Sequence, residues 1–265
     1  MDKFRLTQAA AQKYDKHSVP AMFGPLARAT LAKMQLPESA HIIDVACGTG
    51  ALTREIASRL KGNGRIIGAD LNETMTELAE QQHPTDAHVA TYVASDVCEL
   101  PFDDADFDIA FCQQGLQFFP DKPAALAEIR RVLKPTGELK LTCWSAISPF
   151  NGALSEALAD HVGEAASNKA KAPFSFRDGD VIANFLEAAG FSIKAHQKIV
   201  LQRRFESLAE QIMALPVEKD LSEAGEKIAQ AVIVDVAAKL EKYADNNVFV
   251  VPQEAHLFEA QVKAL

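Results

Sequence analysis

Two spacings of apolar residues alternate along this chain. Residues 41–46 (His-Ile-Ile-Asp-Val-Ala) form a short apolar run, broken by one acid, that leads into glycines. Such a run reads as a buried strand. Over 51–60 the apolar positions fall at Leu52, Ile56 and Leu60, which is helical spacing. A second strand is expected over 65–70, and Asn72 caps a helix reaching about residue 82. Strands follow over 87–94 and 106–112, then a helix over 121–133 stopped by Pro135 and Gly137, then a strand over 138–144. A helix over 178–189 ends at Gly190, and a strand runs from 191 to about 202. A last strand over 255–264 alternates loosely at Leu257, Glu259 and Gln261. Strands taking turns with helices predict an α/β fold: a doubly wound, mainly parallel sheet with helices on both faces.

Three segments stand outside that alternation. Residues 6–36 are helical but broken by Pro20 and Pro25, and 145–175 contain a helix over 152–162. Residues 205–250 predict a long helix with Ile228, Val232, Val236, Leu240 and Tyr243 on one stripe. The stripe is most simply a core-facing side, with a partner helix as the other reading. The expected organisation is one domain over 1–265 with a core over 38–200.

Composition narrows the class. The 265 residues are 48% hydrophobic and 24% charged, ordinary for a globular protein and ample for a core. Lys and Arg total 27 against 36 Asp and Glu, a formal charge of −9. Duplex binding needs a basic footprint, and none is expected here. The short clusters Arg130-Arg131 and Arg203-Arg204 read as solvated faces. Cys47, Cys98, Cys112 and Cys143 have no metal-ligand or C-x-x-C spacing, so no metal is expected. No apolar signal core follows Met1 and no run is long enough to span a membrane, so a cytoplasmic location is expected.

The densest chemical signal is Asp44-Val45-Ala46-Cys47-Gly48-Thr49-Gly50, placed between a strand and a helix. Open α/β sheets bind ligands outside the carboxyl ends of their strands, and glycines there let a ligand approach the backbone. Asp70 ends the second strand, twenty positions after Gly50, where a carboxylate can accept from both ribose hydroxyls. The plain alternative for Asp70 is a helix-cap neighbour. A dinucleotide fingerprint requires Gly or Ala where Thr53 stands, and no G-K-[ST] follows for a phosphate loop. After the third strand, Asp96 can accept from an adenine amine, and Val97 offers a backbone N–H. Gln113-Gln114-Gly115-Leu116 ends the fourth strand in amides, and Glu128 to Leu139 supplies a fifth element.

These five elements, in this order, resemble the class I S-adenosylmethionine-dependent methyltransferases, in the branch that includes the ubiquinone- and menaquinone-biosynthesis C-methyltransferases. The resemblance covers about residues 38–200 and implies a seven-stranded Rossmann-like sheet. It implies S-adenosylmethionine as cofactor and S-adenosylhomocysteine as product. By it, Asp44 and the loop Ala46, Cys47, Gly48, Thr49 and Gly50 hold the methionine portion. Asp70 takes the ribose, Leu71 and Met75 line an adenine face, Asp96 and Val97 read the adenine edge, and Gln113 lies near the sulfonium. Two departures stand out. Relatives often carry His where Gln117 stands, and the usual Pro-Gly-Gly turn reads Pro135-Thr136-Gly137.

The implied reaction is an in-line displacement at a sulfonium methyl, in which the protein positions and desolvates the acceptor. A general base is optional. Candidates for a base or orienter are Tyr14, His17, Gln114 and His256, each also readable as a packed or surface residue. Phe23, Trp144 and Phe150 are candidates to wall the acceptor pocket, with core packing as the alternative. No Asn-Pro-Pro-Tyr or Asp-Pro-Pro-Tyr follows the fourth strand, which argues against amino methylation of bases or of glutamine. A small organic acceptor is expected, with no nucleic-acid partner; a monomer and a homodimer both stay open. The alternatives are a nicotinamide-dependent oxidoreductase and a non-catalytic S-adenosylmethionine-binding protein. The three helical segments are expected to cover the carboxyl rim of the sheet.

Overall fold

A computed structural model describes residues 7–32, 34–82, 89–246 and 248–263. The strands are β1 (His41–Val45), β2 (Arg65–Asp70), β3 (Ala90–Ala94), β4 (Phe107–Gln113), β5 (Leu133–Trp144), β6 (Phe191–Phe205), β7 (Ala244–Asp245) and β8 (Val248–Val262). They form one sheet in the order β3-β2-β1-β4-β5-β8-β6, with the two-residue β7 paired to β8. β1 to β5 are parallel, and β8 runs antiparallel to both β5 and β6. The order reverses at β1, so the crevice between β1 and β4 opens at the carboxyl rim, where such sheets bind ligands.

Helices cover both faces. On one lie α2 (Gly24–Leu31), α3 (Ala51–Ala57) and α4 (Glu73–Gln81); on the other lie α5 (Lys122–Val132) and α8 (Gly179–Ala188). Neighbouring residues of β1 serve opposite cores. Ile42 packs with Leu31, Leu52 and Ile56, whereas Ile43 packs with Ile129, Ile182 and Leu186. Burial on both faces explains why β1 reads as a continuous apolar run.

The chain departs from the pattern-based expectation in four places. The segment before β1 is continuous: α1 (Gln8–Lys13) passes into a π-helix, Tyr14–Phe23, and then into α2. Pro20 lies inside the wide turns rather than breaking them, and Pro25 sits in the first turn of α2, where its missing N–H costs nothing. The long helix expected over 205–250 is instead α9 (Leu208–Met213), α10 (Glu218–Ala224) and α11 (Glu226–Lys239). Pro216 follows α9, and Gly225 at φ +94° separates the other two. The last strand begins at Val248 instead of 255, with Pro252 opposite Gln202. A proline there hides a strand from a periodicity reading. Arg203 is buried, contrary to the solvated face expected of the Arg203-Arg204 pair, because its strand is covered by helices. The start of the strand expected over 87–94 falls partly outside the described residues.

β6 and β8 run past the end of β5: β5 pairs with β8 only as far as Trp144↔Ala255, while β6–β8 pairing continues to Phe205↔Phe249. This two-stranded arm is packed by α6 (Pro149–His161), α9, α10 and α11 through Phe150, Leu154, Ile212, Val232, Val236 and Val251. Val232, Val236 and Leu240 of the α11 stripe are buried in this second core. Among the described residues, no helix is long and apolar enough to cross a membrane.

A core-facing stripe makes a direct prediction for urea unfolding. Leu240→Ala should cost about 2–5 kcal/mol, whereas Val234→Ala, on the exposed side, should stay within about 0.5 kcal/mol.

Candidate functional site

Asp44 stands one residue before the end of β1 and is 1% exposed. Its Oδ2 accepts a hydrogen bond from Thr53 Oγ1 at 2.7 Å, and its Oδ1 has no partner. Burial pushes its carboxyl up to about 7; the Thr53 bond pulls the other way and the nearby Asp70 charge adds to the rise. Thr53 belongs to α3 and is fully buried. The residue that fails the dinucleotide fingerprint is thus the one that anchors Asp44.

The loop after β1 turns through the left-handed region at Ala46 (φ +58°), Gly48 (φ +56°) and Gly50 (φ +78°). A Cβ on Gly50 would lie 2.7 Å from Tyr92 Oη, so this position needs glycine for conformation and for space. The Asp70 carboxylate ties the loop to β2: Oδ2 accepts from Gly48 N at 2.8 Å and Oδ1 from Asn72 N at 2.9 Å. Asp70 is therefore a cap neighbour and a loop anchor together. Burial holds its carboxyl above the usual value. Cys47 is buried, and burial pushes its thiol well up, so it stays protonated.

The π-helix Tyr14–Phe23 lies over this loop. Tyr14 and Phe23 rings stand 5.1 Å apart. Gln113 Nε2, at the end of β4, donates to the Phe23 carbonyl at 3.2 Å, and Gln82 Nε2 donates to Asp15 Oδ2 at 2.7 Å. Tyr14, Phe23, Asp44, Ala46, Cys47, Thr49, Ala51, Leu52 and Gln113 enclose a cavity of about 20 Å³. That is room for about one water. Asp44 Oδ1, Thr49 Oγ1 and Gln113 Oε1, all from these lining residues, are buried without partners. Buried polar atoms are normally satisfied, so three unpartnered ones on residues that line one cavity make it a candidate site for a polar ligand. Burial and the Asp70 charge raise the Tyr14 phenol far above its ordinary value, which suits a hydrogen-bond donor and not a base.

Of the residues singled out in sequence, this cavity brings together Tyr14, Phe23, Asp44, Ala46, Cys47, Thr49 and Gln113. Ala51 and Leu52 join them without any polar signal to announce it. Gly48, Gly50, Asp70, Leu71, Met75, Asp96 and Val97 do not line it; they lie in the loop, at the ends of β2 and β3 and on α4. Leu71 is 38% exposed, Met75 is buried, and Asp96 Oδ1 accepts from Cys98 N at 2.9 Å to close a turn.

The remaining candidates have other engagements. Gln117 Nε2 donates to Gln114 Oε1 at 3.0 Å, and Gln114 Nε2 to Thr142 Oγ1 at 3.4 Å, so these amides bond to each other at the strand ends. His256 on β8 has both ring nitrogens taken: Nε2 donates to the Arg177 carbonyl at 3.0 Å, and Nδ1 accepts from His196 Nε2 at 2.9 Å. That leaves no free nitrogen for base chemistry. His17 is half-buried on the π-helix and makes no hydrogen bond among the described residues. Trp144 is buried between Phe23 (6.3 Å) and Phe174 (6.2 Å). Phe150 is fully buried on α6, beneath the Arg203 guanidinium at 4.4 Å.

The raised Asp44 carboxyl has a sign that can be checked. Its folded value, about 7, exceeds its ordinary 3.8, so the folded state binds the extra proton between those values. Stability should fall as pH rises from about 4 to about 7 and level off above. Asp44→Asn, which stays neutral, should match wild type near pH 4 in thermal melts of the ligand-free protein. It should exceed wild type above pH 7 by an amount on the order of a few kcal/mol. Gly50→Ala should lose at least about 1 kcal/mol in urea unfolding.

Comparison with known proteins agrees with this geometry. Residues 43–141 match the methyltransferase domain family. A demethylmenaquinone methyltransferase of Lactiplantibacillus plantarum is 40% identical over 123 residues, 45% of this chain and 51% of that protein. A ubiquinone/menaquinone biosynthesis C-methyltransferase of Idiomarina loihiensis is 27% identical over 211 residues, 72% of this chain and 83% of that protein. The chain spans about half the length of the demethylmenaquinone methyltransferases it matches. In structure it is similar to a phosphoethanolamine N-methyltransferase of Haemonchus contortus, with a TM-score of 0.62 and 20% identity over 99% of this chain and 59% of that one. Residues 43–141 thus match a methyltransferase domain, and the chain is similar in sequence to the ubiquinone/menaquinone-biosynthesis C-methyltransferases.

Proposed function

We propose that this chain transfers the methyl group of S-adenosylmethionine to a small organic acceptor and releases S-adenosylhomocysteine. The observation that carries this reading is the cavity at the end of β1, where Asp44 Oδ1, Thr49 Oγ1 and Gln113 Oε1 are buried without partners. Their chemistry fits an amino-acid end that carries both an ammonium and a carboxylate. Asp44 and Gln113 offer acceptors to the ammonium, and the Thr49 hydroxyl offers a donor to the carboxylate. Asp70 keeps spare lone pairs beside its two backbone bonds and takes the ribose hydroxyls. Leu71 and Met75 flank the adenine, and Asp96 and Val97 meet its edge. When bound, the cofactor supplies a sulfonium methyl that needs no further activation.

The protein's own part is to place the acceptor in line and to keep water out. Positioning alone is worth roughly 7–11 kcal/mol of the barrier. The π-helix over the cavity is the cover, and it must move outward to admit a nucleoside, since about 20 Å³ holds only water. Phe23 and Trp144 wall the acceptor side. Tyr14 acts as a protonated orienter, and Gln114 and Gln117 cannot take a proton at all. The quinone-biosynthesis relatives support a ring-shaped acceptor. We read residues 1–265 as one domain whose helical segments shape the acceptor pocket, and we place it in a reducing, cytosolic compartment on its four free cysteines. The nicotinamide alternative loses its footing at Thr53, which serves Asp44 instead of giving helix and loop a close approach.

Calorimetric titration tests the reading. S-adenosylmethionine should bind in preference to reduced nicotinamide dinucleotide, and Asp70→Ala should weaken it at least tenfold, about 1.4 kcal/mol. A cationic ligand needs Asp44 ionised, so affinity should be about tenfold weaker at pH 6 than at pH 8. Labelled methyl should then pass from the cofactor to a member of a small-molecule panel. Undetectable cofactor binding, or preference for the nicotinamide, would sink the reading.

A further inference from the structure

The second core holds a charge with no counter-charge. Arg203 is 1% exposed on the β6–β8 arm. Its Nη2 donates to Gln211 Oε1 at 3.0 Å, and its guanidinium rests over Phe150 at 4.4 Å and near Phe205 at 5.5 Å. Among the described residues no carboxylate pairs with it, and its Nε is buried without a partner. Gln253, also 1% exposed, has both amide atoms buried without partners. Register explains how the two meet. Leu201 pairs with Gln253 and Arg203 with Val251, so Arg203 and Gln253 share one face of the arm as diagonal neighbours. Their Cα atoms lie roughly 7–8 Å apart in such a pair.

Buried arginines are almost always paired, because an uncompensated buried charge is strongly destabilising. Ring faces offset part of that cost. Here the Arg203 Nε–H and the Gln253 amide N–H, on diagonal neighbours of one face, are two buried donors without acceptors. The place is also telling. The arm projects beyond the carboxyl end of β5, the end of the sheet at which Asp44, Asp70 and Gln113 stand. An apolar cluster that includes Met22, Trp144, Phe174, Leu201 and Ala255 joins it to Phe23, whose carbonyl is held by Gln113. That cluster suits a ring, and the arginine beyond it suits an acid.

We propose that Arg203 and Gln253 form the anion subsite of the acceptor pocket, and that the methyl acceptor is an aromatic carboxylate. Arg203 Nε–H binds the carboxylate side-on, Gln253 donates to its second oxygen, and the ring lies toward Trp144 and Phe23. This rests on the methyl-transfer reading of the same rim.

The test uses the full chain saturated with S-adenosylhomocysteine and titrated with 2-naphthoate, 2-naphthamide and hydroquinone. The acid should bind at least tenfold tighter than the amide and tighter than the uncharged diol. Arg203→Met should erase the acid preference and leave the S-adenosylhomocysteine affinity within twofold. The same variant without ligand should melt at a higher temperature than wild type, because it removes an unpaired buried charge; a purely structural arginine would give a lower one. Gln253→Leu should weaken the acid several-fold and leave the amide unchanged. Equal affinity for acid and amide, tighter binding of the diol, or an acid preference that survives Arg203→Met would overturn the proposal. Failure of the wild type to bind S-adenosylhomocysteine would remove the methyl-transfer reading first, and the cofactor titration alone reveals that case.

Discussion

The carboxylate of Asp44 is buried at the end of the central strand, with one oxygen on Thr53 and the other without a partner. A carboxyl in that position is costly, and its proton affinity rises to about 7 in consequence. The surroundings are arranged around it. The loop that follows turns through three left-handed residues to pass beneath the covering π-helix, and Asp70 pins that loop to the neighbouring strand through the Gly48 and Asn72 N–H groups.

The rim and its cover answer different needs. The parallel strands supply a floor buried on both faces, at whose ends stand Asp44, Asp70 and Gln113, each held further by a hydrogen bond of its own side chain. The cover is held by few bonds: one from Gln113 to the Phe23 carbonyl, one from Gln82 to Asp15, and ring contacts among Tyr14, Phe23 and Trp144. Ser18, Ala21 and Met22 of the cover are buried, and Met22 packs with Trp144, Phe174 and Leu201.

Among the buried polar atoms without partners, two groups lie toward the carboxyl end of the sheet. One is the cavity with Asp44, Thr49 and Gln113; the other is the arm with Arg203 and Gln253. The first is short of cations and donors, the second of anions. Away from these groups, the cores at Ile43 and at Val236 are apolar.

Much of this was readable along the chain, and the limit has a physical cause. Strands β1, β2 and β4 and helices α4, α5 and α8 follow from local period and capping, since Ile42-Ile43 must be buried on both sides and Asn72, Asp121 and Asp178 each cap their own helix. The loop from Asp44 to Gly50 and the acid at Asp70 were legible because backbone conformation and strand ends confine them to neighbouring positions. The long β6–β8 arm, the split of 205–250 into three helices and the burial of Arg203 were not. Arg203 and Gln253 lie fifty residues apart and become neighbours only through antiparallel register. His256 likewise has its nitrogens taken by Arg177 and His196, partners that no local spacing announces. Local period and turn chemistry act between residues a few positions apart, and so they set the elements and the loop. Whether a charge is paired or a histidine is free depends on contacts made across the sheet, and only the folded arrangement creates them.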